Sequence, residues 1–231
     1  MSTTTDVKPY FIRPVRTNDI PALSRICLLT ADAGQSAESL HQHPELLGLH
    51  YIDPYVKLSP AFGFVLASGT PEAEDEVVGY LLATHDTRAH EAAAEEKCYP
   101  PLRVKYPNNP YPPGATAQDQ RVINRIHNPL IRPQGLVDIA PAHIHINILP
   151  QAQRQGWGVR LIDRAVEHLK ELGQNGLCLG IDSRNHNARA FYLNIGFKPY
   201  PFPDKEYFYL DFSQWKGIRS RSEGGVTPLA T

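Results

Sequence analysis

Residues 142–162 read AHIHINILPQAQRQGWGVRLI and carry the clearest chemistry in the chain. His143, Ile144, His145, Ile146, Asn147 and Ile148 alternate polar with apolar, the period-two pattern of a strand with one apolar face. Pro150 ends that strand. A glycine-containing turn follows. Val159, Leu161, Ile162, Ala165, Val166 and Leu169 then recur at the spacing of an amphipathic helix. A turn that opens a helix leaves the amides of Gln155, Gly156, Trp157, Gly158 and Val159 unpaired at a positive helix end, which suits a phosphate. Three phosphate-binding patterns compete. A Walker loop is absent. The dinucleotide fingerprint fails because Gly156-Trp157-Gly158 runs on to Leu161 rather than to a third glycine. The pattern Q/R-x-x-G-x-G remains, matched by Gln153, Gly156 and Gly158, where glycine permits close approach of a pyrophosphate. By itself this hexapeptide is equally compatible with an ordinary strand–turn–helix.

Two imidazoles on the strand, His143 and His145, are candidate general bases, since a histidine titrates near neutrality. Asn147 shares their face but cannot act as a base. A bulge in the strand would reverse which side faces a cleft, so both orientations stay open. Each imidazole could equally be a half-buried, hydrogen-bonded side chain. H-x-H on a strand supplies two metal ligands at most, and His41 with His43 repeats the spacing; no metal is expected without a third converging ligand. Asp86, Arg88, His90 and Glu91 are further substrate-side candidates, or simply the capped, solvated start of a helix.

The elements around this segment are readable in outline. Residues 10–15, 62–67, 77–84 and 177–181 read as strands. Asp19 is placed to cap a helix that carries Pro21 in its first turn and Leu23, Ile26 and Cys27 on one face. Residues 36–49, interrupted at Pro44, together with 88–97 and 118–127, read as helical. Prolines number 21, nearly twice the usual ~5 %. They cluster between residues 98 and 130, so this stretch is expected to be a long loop that folds over the acceptor side of a site, with Trp157, Tyr99, Tyr106 and Tyr111 as aromatic contacts or edge cover. One domain over residues 1–219 and a loose tail over 220–231 are expected from a chain of 231 residues.

Composition excludes several classes. Lys+Arg 23 against Asp+Glu 24 gives a net charge of −1, without the basic excess of a dedicated nucleic-acid binder. The three cysteines, Cys27, Cys98 and Cys178, form no C-x-x-C and suggest reduced thiols in a cytoplasmic or nuclear protein. The polar first ten residues lack a secretory h-region, and no apolar run approaches ~20 residues, so no membrane partner is expected.

Residues 182–197, DSRNHNARAFYLNIGF, place Asn185, Ala188, Tyr192, Gly196 and Phe197 at the spacing N-x-x-A-x-x-x-Y-x-x-x-G-F. With the earlier turn, in this order and at this separation, the chain resembles the GCN5-related N-acetyltransferase (GNAT) superfamily from its first strand to Phe212. PELLG (44–48), ADAG (31–34), DTRAHE (86–91) and HINILP (145–150) further resemble the acetyltransferase-like domain at the C-terminus of O-GlcNAcases and its free-standing microbial relatives. That resemblance implies an α/β (α+β) fold, with a mixed, mostly antiparallel sheet whose parallel strands 142–149 and 177–181 splay into a V. It implies acetyl-CoA as cofactor, held by Ile148, Leu149, Gln153, Arg154, Gln155, Gly156, Trp157, Gly158, Val159, Asn185, Ala188 and Tyr192. A backbone amide near Ile148 would stabilise the developing oxyanion. Tyr192 would protonate the departing thiolate, with His145 or His143 as candidate base and Asp86, Arg88 and Asn147 toward the substrate. The implied reaction is direct acetyl transfer to an amine of a small molecule or peptide. The alternative is a non-catalytic acetyl-CoA binder, because some members of the O-GlcNAcase group have lost the cofactor motif. Gln153, Gly156, Gly158 and Tyr192 are all present here.

Overall fold

The computed structural model describes residues 9–70, 75–203 and 205–217. The expected tail and part of the acidic turn before Val77 lie outside them. Seven strands form one sheet in the order β1-β2-β3-β4-β5-β7-β6. These are β1 (Tyr10–Pro14), β2 (Ala61–Ser68), β3 (Glu76–Thr84), β4 (Ala142–Ile148), β5 (Gly176–Ile181), β6 (Lys198–Tyr200) and β7 (Glu206–Asp211). Every pairing is antiparallel except β4 with β5. This is the mixed α/β architecture that the strand pattern and the motifs imply.

Alternation sorts each strand between two layers. Phe64, Leu66, Leu81, Ala83 and Ile144 pack under α8 (Trp157–Glu171) and α9 (His186–Asn194). Val65, Tyr80 and Leu82 face the other layer, built from α1 (Ile20–Leu28), α2 (Glu45–Tyr51), α3 (Asp53–Lys57), α4 (Thr87–Lys97), α5 (Tyr99–Lys105) and α6 (Ala117–His127). α7 (Gln134–Ile139) packs Leu136 and Ala140 beside Cys178 and Tyr207. Among the described residues no helix is long and apolar enough to cross a membrane.

Two expectations are corrected. Asp19 precedes α1 but makes no side-chain cap; its carboxylate takes two hydrogen bonds from Arg13 (both 2.8 Å) and one from Arg16 N (2.7 Å). The proline-rich stretch is not all loop. Pro100 and Pro101 fall at the start of α5, where a missing N–H costs nothing, so prolines there begin a helix. α7 was not anticipated, because its six residues are too few to show a helical period.

Candidate active site

β4 and β5 pair only at Ala142–Leu177 and His143–Cys178. Beyond them β5 stays paired with β7 along its whole length, and β4 stays paired with β3. The two strands therefore diverge without either losing its other neighbour. Leu149 N donates to Val78 O (2.8 Å). By strand alternation the N–H and C=O groups of Ile144, Ile146 and Ile148 point the other way, into the opening. A cavity of about 830 Å³ occupies it, walled by β4, the end of β5, α6 and the loop after α1. Arg184 spans its mouth, bonded to Asp182 and Asp32 (both 2.8 Å).

The turn before α8 is shaped for an anion. Arg154 (φ +59°) and Gly156 (φ +82°) are both left-handed, an arrangement that turns successive N–H groups toward one side. Arg160 N bonds Gly156 O (3.2 Å), so the amides of Trp157, Gly158 and Val159 lie ahead of the first helical bond. A Cβ on Gly156 would meet nothing within 4 Å, leaving the space above the turn open. Gly158 answers a different need: its Cβ would stand 3.1 Å from Phe191 Cζ, so its lack of a side chain lets α8 and α9 approach. The side chains of Gln153, Arg154 and Gln155 are exposed, while Trp157 is half-buried. Trp157 meets Tyr10 edge-on (5.9 Å) and lies under Arg160 (4.7 Å). Gln153 Nε2 donates to Ile148 O (2.7 Å), tying the turn to β4, and Gln155 Nε2 donates to Gln151 O (2.8 Å). Leu149 and Val159 are half-buried against the core.

Asn185 caps α9, accepting from Ala188 N (2.9 Å), and lines the cavity with Ala188 and Tyr192. Tyr192 is buried, yet its hydroxyl has no hydrogen bond to a described residue; burial pushes its pKa above the usual phenol value.

The register of β3 against β4 runs unbroken from Gly79–Ile148 to Thr84–His143, so no bulge intervenes and His143, His145 and Asn147 share one face. They do not share one role. His143 is fully buried, with Nδ1 on Thr87 Oγ1 (2.8 Å) and Nε2 on Tyr55 OH (2.7 Å). Both ring nitrogens are occupied, which removes it as a base. His145 Nε2 lies 3.0 Å from Tyr80 OH, and that oxygen receives Asn147 Nδ2 (2.8 Å). In the tautomer in which Tyr80 donates its proton to His145 Nε2, the imidazole proton sits on Nδ1. Burial holds His145 neutral, its pKa lowered to about 4, so it offers a donor rather than a base. Asp86 and Arg88 are corrected as substrate groups. Asp86 caps α4 through Ala89 N (2.9 Å), and Arg88 binds Glu91 (2.6 Å) and Arg132 O (2.8 Å). Neither lines the cavity.

Sequence reading missed Tyr80, Tyr51 and the dyad of His41 with Asp119. Asp119 is fully buried and accepts from Thr116 N (2.9 Å) and Gln42 N (3.0 Å). Against the cost of burial, the hydrogen bonds from Thr116, His41 and Gln42 hold its carboxyl below the usual carboxylate range. His41 Nδ1 lies 2.7 Å from this carboxylate and must carry a proton toward it; in the neutral ring Nε2 then holds the lone pair, on a side chain that lines the cavity. Only the three-dimensional path brings α6 and residues 41–43 together.

Residues 124–199 match the family model described as an acetyltransferase (GNAT) domain. The crystal structure of SsHAT is similar over 88 % of this chain and 98 % of its own, at 33 % identity and a TM-score of 0.77. PH1933 from Pyrococcus horikoshii shares 13 % identity over 88 % of this chain and 98 % of its own, with a TM-score of 0.53, a likeness of fold alone. Also similar, at 13 % identity over 90 % of this chain and 96 % of its own with a TM-score of 0.49, is yncA from Salmonella typhimurium, solved with its cofactor acetyl-CoA.

Proposed function

The chain belongs to the GCN5-related N-acetyltransferase superfamily, whose cofactor is acetyl-CoA, and we propose that it transfers the acetyl group directly to an amine bound in the 830 Å³ cavity. The carrying observation is the opened sheet. The cleft-facing backbone of Ile146 and Ile148 leads along β4 to the turn before α8, which Gln153 Nε2 ties to Ile148 O at 2.7 Å, and Tyr192 lines the cavity beside Ile146. A pantetheine chain can pair with such a strand edge, and a pyrophosphate can rest on the turn with its open space above Gly156. Bound acetyl-CoA supplies an activated thioester carbonyl.

This chain's own groups then divide the work. The N–H of Ile148 is the donor available to the carbonyl oxygen as it gains charge. Tyr192, whose phenol is kept protonated by burial, donates to the leaving sulfur. His145 Nδ1–H orients the acceptor. Among the described cavity-lining residues, His41 carries the imidazole lone pair left free, and it takes the amine proton with Asp119 fixing its tautomer. The cytoplasm or nucleus is the compartment proposed.

Calorimetric titration with acetyl-CoA, CoA and NAD tests the first step, and thiol release with an amine panel tests the second. Micromolar acetyl-CoA binding, together with thiol release that falls in His41→Ala and Tyr192→Phe, supports the reading. Binding without turnover on any amine would favour a non-catalytic acetyl-CoA binder.

A further inference from the structure

Behind the splay lies a second chamber of about 150 Å³ that shares Ile144, His145 and Gly180 with the large cavity. Four buried side-chain polar atoms without a hydrogen-bond partner belong to residues lining it: His50 Nδ1, His90 Nδ1, Arg132 Nε and Tyr207 OH. Only two further such atoms occur among the described residues, on His43 and Glu206. A buried polar atom left without a partner is destabilising, so four around one small space point to a missing partner rather than to chance.

The charges say what that partner is. Arg125, Arg132 and Lys205 all line the chamber. Glu91, its one carboxylate among the described residues, is already held by Arg88 at 2.6 Å and by Arg132 N at 3.1 Å, while the Arg132 guanidinium stands 3.8 Å away. Among the described residues Arg125 bonds only Tyr51 OH (2.8 Å), and Lys205 has no ion-pair partner. Gly180 makes room for Lys205: a Cβ there would stand 2.9 Å from Lys205 Cε. Three cations and two neutral imidazoles converge on a space whose described carboxylate is already engaged.

We propose that this chamber receives a carboxylate of the acetyl acceptor, so the acceptor is a small amine bearing an acidic group a short chain away. The inference rests on the acetyl-transfer reading and narrows its substrate class. A lysine-rich tail would meet like charge here. The carboxylate sits on Arg132 and Lys205 while the amine reaches forward past His145 into the splay.

Binding, not turnover, tests this. N-acetylglycine, N-acetyl-β-alanine and N-acetyl-4-aminobutanoate, each beside its primary amide, are titrated calorimetrically into the CoA-loaded protein. The product-like acids span the chain lengths that could join the two spaces. The expected result is that one acid or more binds at least about tenfold tighter than its amide, and that Lys205→Met and Arg132→Gln each cut the difference below about threefold. Lys205→Met covers the case in which Arg132→Gln fails to fold. If no acid outbinds its amide, or if the preference survives in folded Lys205→Met, the proposal is overturned. Acetyl-CoA titration of the same samples is read separately: its failure would sink the acetyl-transfer reading, not the carboxylate site.

Discussion

Acidification should unfold this protein at a pH where most carboxylates are still ionised. Four imidazoles lie between the sheet and the α1–α6 layer and are held neutral there, chiefly by burial. His50 is lowered to about 3, His90 and His145 to about 4, and His143 well below its ordinary value. In the unfolded chain each titrates near 6.5. A folded pKa below the unfolded one contributes stability that is present above pH 6.5 and is lost as pH falls, because the unfolded state takes up protons the folded state refuses. One unit below 6.5, each such group has forfeited about 1.4 kcal/mol. Four together reach about 5.6 kcal/mol, comparable to the whole stability of many domains. Other shifted groups leave this window alone. Asp75 is held low by Arg13 and titrates below it, while Lys205, lowered to about 8, is protonated in both states. Urea unfolding followed by tryptophan fluorescence at pH 7.5, 6.5, 6.0 and 5.5 reads this directly. The midpoint should fall steeply below pH 6.5 with little change in slope. A loss under about 1 kcal/mol down to pH 5.5 would refute the enclosure of these imidazoles, and with it the tautomer argument for His145.

Gly156→Asn keeps a residue that tolerates the left-handed turn, whereas Gly156→Glu adds a charge against the pyrophosphate. Both should lower thermal stability slightly, but only the glutamate should weaken acetyl-CoA, by roughly 10–30-fold at low salt, as calorimetry would show. Equal affinities for the two variants would take the phosphate off this turn. Tyr192→Phe should leave stability nearly unchanged, since its hydroxyl has no hydrogen bond to lose, and should cut kcat about 100-fold with acetyl-CoA affinity within about threefold. Tyr80→Phe strands Asn147 Nδ2 and His145 Nε2, so it should cost about 1–3 kcal/mol in urea unfolding and raise KM more than it lowers kcat.

The strands and the cofactor turn were readable because their signals are local. Alternation over 142–148 and the spacing from Gln153 to Gly158 each occupy a single stretch of chain, and the strand–turn–helix they describe is what forms. Side-chain roles were less legible, because a role is set by what packs opposite. Three polar residues alternate on β4 in the same way. Yet Thr87 and Tyr55 seal His143, while Tyr80 turns His145 into a donor. Asp86 and Arg88 look like site residues from composition alone, and local bonds at the start of α4 absorb them. The His41 dyad carries no local signal at all, because its members are 78 positions apart.

Net charge misleads for the same reason. A total of −1 suggests no electrostatic preference in a ligand, and for a partner that meets the whole surface that inference is sound. A small ligand meets only the few groups the fold collects around it. Arg125 comes from α6, Arg132 from the segment before α7, and Lys205 from the approach to β7. Arg125 and Arg132 stand seven positions apart on either side of Asn128-Pro129, and Lys205 lies far along the chain, so nothing local joins the three. The same divergence of β4 from β5 that exposes a backbone edge opens the space into which all three reach. Aspartates and glutamates balance the total, but Glu206 is spent on Arg189 and Asp182 on Arg184, outside the chamber. The positive potential is thus a property of topology, and a substrate class follows from it that the chain's overall charge would have argued against.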